Sequence, residues 1–237
     1  MSSHDEAASL TVSRLDDAAK SPVPEARWPP LAAVLAFLGL NVGLRLWLPG
    51  EVLVGVPWLL PTIEVLLLIV LLAADPSNPA KRRKWPRRLL PFLVGLLNAA
   101  ALWATAFLIY HLVAGAKVTE SPGMLLAAAA LVWIGNNLSF ALMFWLIDSG
   151  GPLERARRDR PYRDFAFTQH MSPELAPTDW RPVFADYLHL GFTNATAFSP
   201  TDVMPLTMKG KYAMLIHSTV ALALFGLVVA RAVNAFT

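Results

Sequence analysis

The sequence predicts an all-α polytopic membrane protein, built as a bundle of transmembrane helices. Of its 237 residues, 55% are hydrophobic and only 16% are charged, and the mean hydropathy is positive. A soluble domain of this length cannot bury so many apolar side chains. The apolar residues also occur in runs of about 20, the number that a helix needs to cross about 30 Å of hydrocarbon. We therefore expect the lipid bilayer to be the main partner of the chain.

The chain before the first apolar run is polar. Residues 1–28 contain five acidic and three basic residues and no apolar stretch. They lack the short hydrophobic region of a signal peptide. We predict a disordered cytoplasmic tail.

Five apolar runs have the length and composition of membrane spans. Four of them, at about 30–49, 52–73, 89–114 and 123–147, form a transmembrane region over 29–148. An Arg-rich cytoplasmic loop follows at 149–181, and the fifth span, about 210–233, belongs to a C-terminal unit at 182–237. That unit also contains a polar segment at 183–200, which either spans the membrane or re-enters it.

The distribution of basic residues predicts the orientation, because loops rich in Lys and Arg stay in the cytoplasm. The loop at 74–88 carries six basic residues and the Arg-rich loop carries Arg155, Arg157, Arg158, Arg160 and Arg163, whereas the loops at 50–51 and 115–122 contain only Lys117. We predict a multi-pass plasma-membrane protein with a cytoplasmic N-terminus. A crossing at 183–200 gives six segments and a cytoplasmic C-terminus, which is the topology we favour; re-entry places the C-terminus outside.

Several kinds of function find no support in the sequence. The net charge of +3 comes from short basic runs between apolar stretches, which fits membrane topology better than nucleic-acid binding. Cysteine is absent, which excludes disulfides and thiolate chemistry. Neither Ser/His/Asp spacing, nor a phosphate-binding glycine loop, nor HExxH-type metal spacing occurs. We expect no enzyme activity, no metal site and no cofactor.

Polar residues within the apolar runs are the first candidates for a functional role. Glu64 lies near the centre of the second span, where an ionisable group is expensive, and it must face protein or water. Pro57 and Pro61 predict a kink just before it. We expect Glu64 to bond to Asn98, Asn136 or Asn137, and to act with these and His217 either as interhelical contacts or as part of an ion or proton path.

The segment 183–200 carries a denser set of polar residues. Asp186 and His189 are spaced i, i+3, and His189 and Thr193 are spaced i, i+4, so a helix places them along one face. The candidate ion or proton path consists of Asp186, His189, Thr193, Asn194, Thr196 and Asp202. The same spacing is compatible with a proton relay to His217 or with half of a metal site, although a buried histidine satisfied by a neighbouring carboxylate is the more common arrangement.

The C-terminal stretch from Thr193 resembles the pore segment and inner helix of potassium-channel-type cation channels. The matching elements are Thr196 for the pore-helix threonine, Asp202-Val-Met-Pro205, Thr207, Gly210-Lys211 and the run ALFGLV at 223–228. The glycines of the family's selectivity filter fall on Ser199-Pro200-Thr201, so potassium selectivity does not follow from the resemblance. The resemblance implies a cation path formed by several subunits, hence a homo-oligomer.

The chain from 140 to 237 also resembles a family of uncharacterised bacterial multi-pass proteins, a domain of unknown function. There a basic loop follows a span that ends near Trp-x-x-Asp, here Trp145 to Asp148. This resemblance implies no activity. The sequence thus leaves two hypotheses, a channel-like or transporter-like cation or proton pathway and a non-conducting membrane scaffold or accessory subunit.

Overall fold

The computed structural model describes residues 25–47, 58–74, 86–114, 122–157, 162–178, 180–196 and 202–235. Four long helices come first: α1 (Trp28–Trp47), α2 (Leu59–Ala74), α3 (Pro86–Ala114) and α4 (Pro122–Ile147). The chain continues through a 3-10 turn (Asp148–Gly150), α5 (Pro152–Arg157), β1 (Phe165–Phe167), α6 (Thr168–Met171) and a second 3-10 turn (Pro173–Leu175). It ends with α7 (Phe184–Thr196), β2 (Val203–Pro205) and α8 (Met208–Ala235).

The structure confirms a mostly helical protein with helices of membrane-spanning length. In the described part, three helices are long and apolar enough to cross a membrane: Arg88–Tyr110 in α3, Leu125–Gly150 at α4 and Met208–Ala230 in α8. The apolar parts of α1 and α2 are shorter, at Trp28–Gly43 and Leu59–Ala73. Predictions that fall on 1–24, 48–57, 75–85, 115–121, 158–161 and 197–201 lie outside the described residues.

Helix α4 lies at the centre of the bundle and contacts α1, α3, α7 and α8. Its side chains are buried around much of its circumference, including Phe140, Phe144 and Trp145. A helix that is apolar on all sides buries itself among others. One close approach is set by Gly135, where an added Cβ would lie 2.4 Å from Cζ of Phe37 in α1.

Contacts along α4 show the direction in which α8 runs. Phe165 contacts Phe144 near the end of α4, His217 of α8 contacts Phe140, and Leu224 packs with Leu125 near the start of α4. Helix α8 is therefore antiparallel to α4. We call the end of the bundle that holds Glu25, Asp148 and the β1–β2 pair the basal end.

The last residues of the predicted disordered tail are ordered at the basal end, which corrects the boundary at residue 28. Glu25 accepts hydrogen bonds from Arg155 and from the indole of Trp145, and Trp28 begins α1. The predicted Arg-rich loop is also more structured than its composition indicates, since it contributes α5, β1 and α6. Both segments help to hold α7 in place.

Candidate functional site: helix α7 and its anchor

Helix α7 is amphipathic, with one face packed into the bundle. Its buried residues are Phe184, Tyr187, Leu190, Gly191 and Asn194. At 100° per residue, these positions fall on one side of a helix. The opposite side is exposed and carries both apolar and polar residues. Helix α7 therefore has one face packed against the bundle and one face exposed.

Helix α7 begins at the basal end and runs into the bundle antiparallel to α4. The ring of Phe184 lies 6.1 Å from that of Trp145, and the ring of Phe192 lies 5.6 Å from that of Trp133. Gly191 permits the approach, because an added Cβ would lie 3.2 Å from the carbonyl oxygen of Asn137. Small residues at such contacts are typical of packed membrane helices. Along its axis α7 extends about 18 Å at 1.5 Å per residue.

Val183, just before α7, and Val203, the first residue of β2, lie at the same end of the bundle. Strands β1 and β2 pair antiparallel, with Phe165 opposite Pro205 and Phe167 opposite Val203. The amide of Leu206 also donates to the carbonyl of Asp164 at 2.8 Å. Val183 and Val203 thus both lie at the basal end, and α8 runs from there toward the opposite end of the bundle.

Four polar residues of the predicted path form a stripe along α7, which we call the polar stripe: Asp186, His189, Thr193 and Thr196. His189 and Thr196 are exposed, and Asp186 and Thr193 are half-buried. The Asp186 carboxylate accepts from the amide of Val183 at 2.7 Å, and the two threonines donate to carbonyls one turn back. On a helical wheel the stripe lies on the flank of the exposed apolar residues Leu188 and Phe192.

The fifth residue predicted for the path in α7, Asn194, lies on the buried face instead. Its amide nitrogen donates to the carbonyl of Met214 at 3.0 Å and lies 3.2 Å from Nδ1 of His217. His217 is fully buried and stacks on Phe140 with ring centroids 4.5 Å apart. Because His189 points away from this pair, the predicted relay from His189 to His217 is not formed. The described residues also contain no group of three or more potential metal ligands.

The residues after α7 that match the channel family hold the basal end together. Asp202 is exposed. Thr207 donates to Oδ1 of Asp164 at 2.6 Å. A Cβ added at Gly210 would lie 3.2 Å from the carbonyl oxygen of Asp164 and 3.1 Å from the ring of Phe165, so α8 starts tightly against β1. The spacing of Thr207 and Gly210 is therefore explained by their contacts with Asp164 and Phe165, without reference to a selectivity filter.

A buried carboxylate at the end of α4, the aspartate of the Trp-x-x-Asp motif, anchors α7. Asp148 is 1% exposed. Its Oδ2 accepts from the hydroxyl of Tyr187 at 2.6 Å, and its Oδ1 accepts from the amides of Asp164 and Phe165 at 3.1 and 3.2 Å. Ser149, at φ 52°, turns the chain so that its amide reaches Asp164. Asp148 thus joins α4, β1 and α7.

Arg155 connects the same anchor to the N-terminal segment. Its guanidinium donates to both carboxylate oxygens of Glu25, at 2.8 and 3.1 Å, and to the carbonyls of Trp145 and Asp148, both at 2.7 Å. The guanidinium carbon also lies 5.1 Å from the ring centroid of Tyr187, within cation–π range. We call Glu25, Trp145, Asp148, Arg155 and Tyr187 the basal anchor.

Aromatic rings complete the support of α7 from the loop side. Phe167 contacts Tyr187, and His170 lies between Phe167 and Trp180, with ring centroids 5.8 and 5.0 Å away. Burial, together with the nearby Arg163 charge, lowers the pKa of His170 to about 4. The neutral ring is the form that accepts the amide hydrogen of Phe167 at Nδ1.

The intramembrane polar residues are each bonded within the bundle, but not as predicted for Glu64. Glu64 accepts from Asn41 of α1 at 2.6 Å, whereas Asn98, Asn136 and Asn137 donate to other groups. Asn98 donates to the carbonyl of Ser139 at 3.0 Å, Asn136 to the hydroxyl of Thr105 at 2.7 Å, and Asn137 to the carbonyl of Trp133 in its own helix at 2.9 Å. Most of these contacts join neighbouring helices.

A cavity of about 880 Å³ begins where α7 ends. It lies between α4 and α8, and the end of α7 lines it with Asn194, Ala195 and Thr196. Most of the remaining wall is aliphatic or aromatic. No protein-family model, curated protein or solved structure matches the chain.

Proposed function

We propose that this chain crosses the plasma membrane five times and that α7 is a re-entrant helix. The five crossing helices are α1, α2, α3, α4 and α8, with the basal end in the cytoplasm. Arg155 and Arg163 of the predicted Arg-rich loop lie at this end, which supports a cytoplasmic N-terminus. Because α8 starts at the basal end, the C-terminus then lies outside. This is the re-entrant alternative of the two topologies.

We further propose that copies of the protein assemble around the polar stripe to form a cation or proton path. The observation that carries this proposal is that the stripe is half-buried or exposed, with His189 and Thr196 exposed, although the opposite face of α7 packs into the bundle. Non-helical backbone and polar side chains at membrane depth are tolerated where protein or water covers them. A second copy facing the stripe supplies that cover, and one helix cannot enclose a path alone.

The chemistry of the stripe fits a small cation or a proton. Asp186 provides a carboxylate near the basal end, and His189, about one turn deeper, provides an imidazole ring whose two nitrogens can donate and accept hydrogen bonds. The hydroxyl hydrogens of Thr193 and Thr196 are donated to the helix, so their oxygens keep lone pairs for a cation. A re-entrant helix followed by a long apolar helix is also the order of elements in the channel family that the C-terminal stretch resembles.

A flux measurement tests this proposal. Purified protein in liposomes with an imposed potassium or proton gradient should dissipate the gradient. The variant His189→Leu should reduce the rate about tenfold, the effect of roughly 1.4 kcal/mol on a barrier. Phe192→Leu, on the exposed apolar flank of the same helix, is the matched control and should keep the wild-type rate. A wild-type protein that passes neither ion, or equal rates in both variants, contradicts the proposal.

A second candidate, the non-conducting scaffold or accessory subunit, is favoured by one observation. Glu64, Asn98, Asn136 and Asn194 each make a hydrogen bond to a neighbouring helix, as expected of residues that only hold helices together. A scaffold leaves the liposome gradient intact. In that case Glu64→Gln keeps the fold and function, while Asn136→Leu lowers stability.

A further inference from the structure

The cavity at the end of α7 has the features of a binding site for one membrane-soluble molecule. Its volume of about 880 Å³ lies within the range of about 300–1,000 Å³ that holds a single small ligand. Leu126, Trp133, Leu222, Phe225 and Val228 form apolar walls between α4 and α8. Since these helices have membrane-spanning length, a ligand reaches the cavity from the bilayer.

The polar groups of the cavity lie together, near the end of α7. They are Asn194, Thr196, Ser218 and Thr219. The hydroxyl of Thr196 donates to the carbonyl of Phe192, and that of Ser218 donates to the carbonyl of Leu215. Asn194 makes its recorded hydrogen bonds through Nδ2. The oxygen atoms of these three side chains can therefore accept a hydrogen bond from a ligand, and the hydroxyl of Thr219, which has no hydrogen bond to the described residues, can accept or donate one.

The charge of the cavity limits the ligand further. None of the described residues that line it is a lysine, an arginine or an acidic residue. A carboxylate or phosphate head group would meet mainly acceptor oxygens in an apolar surrounding, with no cation among the described lining residues, which is unfavourable. A neutral donor avoids this cost, because its hydrogen bonds to the acceptors. The simplest group of that kind on a membrane lipid is a hydroxyl.

We propose that this cavity binds an uncharged lipid with a hydroxyl head group, a long-chain alcohol in its simplest form. The hydroxyl lies against Thr196, Ser218 and Asn194, and the hydrocarbon chain lies along the apolar walls toward the start of α4. The cavity shares Thr196 with the polar stripe, but the proposal does not require ion conduction, because it rests on the volume of the cavity, its apolar walls and its polar groups.

Photolabelling of the purified full chain tests the site. The probe is a diazirine-bearing analogue of 1-hexadecanol, with labelled peptides mapped by mass spectrometry. We expect labels in α4 and α8 around Trp133 and Phe225. Excess 1-hexadecanol should suppress them at least about tenfold, whereas hexadecane and hexadecanoate at alkaline pH should compete poorly.

Two variants make the test specific. Ala130→Trp places an indole at the cavity wall and should abolish labelling, while Ala99→Trp, at an exposed position of α3 away from the cavity, should leave it unchanged. Ser218→Ala removes one acceptor and should weaken competition by 1-hexadecanol about 2- to 10-fold. Equal competition by hexadecane, labelling that Ala130→Trp does not change, or cross-linking of a second copy through the cavity overturns the proposal.

Discussion

Replacing Asp148 by alanine is expected to lower the free energy of unfolding by about 3–5 kcal/mol, the cost of breaking a buried charged network by removing one member. The substitution removes the acceptor of the Tyr187 hydroxyl and of the amides of Asp164 and Phe165. Because all of these groups are buried, they lose their partners without gaining water. Unfolding of the purified protein in mild detergent, followed by tryptophan fluorescence, measures the change.

The same substitution should loosen α7 from α4 as well as destabilise the protein. Asp202→Ala is the matched control, since Asp202 is exposed at the same end of the bundle, and its effect should stay within about 0.5 kcal/mol. In hydrogen exchange, the amides of α7 should lose protection in Asp148→Ala and keep it in Asp202→Ala. A loss of less than about 1 kcal/mol in Asp148→Ala contradicts the role of Asp148 as the anchor.

Replacing Arg155 by alanine is expected to cost a similar amount, about 3–5 kcal/mol. The variant removes four hydrogen bonds and leaves the carboxylate of Glu25 without its cation, in a site where both side chains are largely buried. Arg163→Ala provides the control, because Arg163 is an exposed arginine of the same loop. Its effect should be within about 0.5 kcal/mol.

The variant Glu25→Gln tests the ion pair between Arg155 and Glu25 from the other side. Alone, this variant should destabilise the protein, since it replaces an ion pair by a neutral amide. In the Arg155→Ala background it should instead restore part of the lost stability, because no uncompensated carboxylate remains. Additive effects of the two substitutions would contradict a direct Arg155–Glu25 pair.

The bundle was predictable because its signal is the length of apolar runs, which the bilayer fixes. The bounds of α3, α4 and α8 agree with the predicted spans to within a few residues. The partner of Glu64 was not predictable in this way. The depth of a residue along its helix restricts the candidate partners, but the rotation of each helix about its axis decides which of them faces Glu64. In the structure Asn41 of α1 donates a hydrogen bond to Glu64. The rotation of a helix about its axis depends on tertiary packing, which local sequence patterns do not indicate.

The position of Val203 at the basal end was not predictable from local sequence patterns. The apolar content and length of 183–200 fit both a crossing and re-entry, and the pairing of β1 with β2 joins residues 36 to 40 positions apart. Strands of three residues leave no clear periodic pattern. The sequence signal of the basal anchor was also weak. Arg155 belongs to a basic run typical of topology determinants and Asp148 ends the Trp-x-x-Asp motif, and neither pattern indicates a contact with Tyr187 of α7.

The most direct test is to determine on which side of the membrane the segments before and after α7 lie. The chain has no cysteine, so single cysteines at Tyr162 in the Arg-rich loop and at Met204 in β2 can be labelled selectively, together with a reporter fused after Thr237. Re-entry of α7 predicts that positions 162 and 204 are labelled from the cytoplasmic side and that the reporter lies outside. Labelling of position 204 from outside, or a cytoplasmic reporter, would show that 183–200 crosses the membrane and would contradict the account.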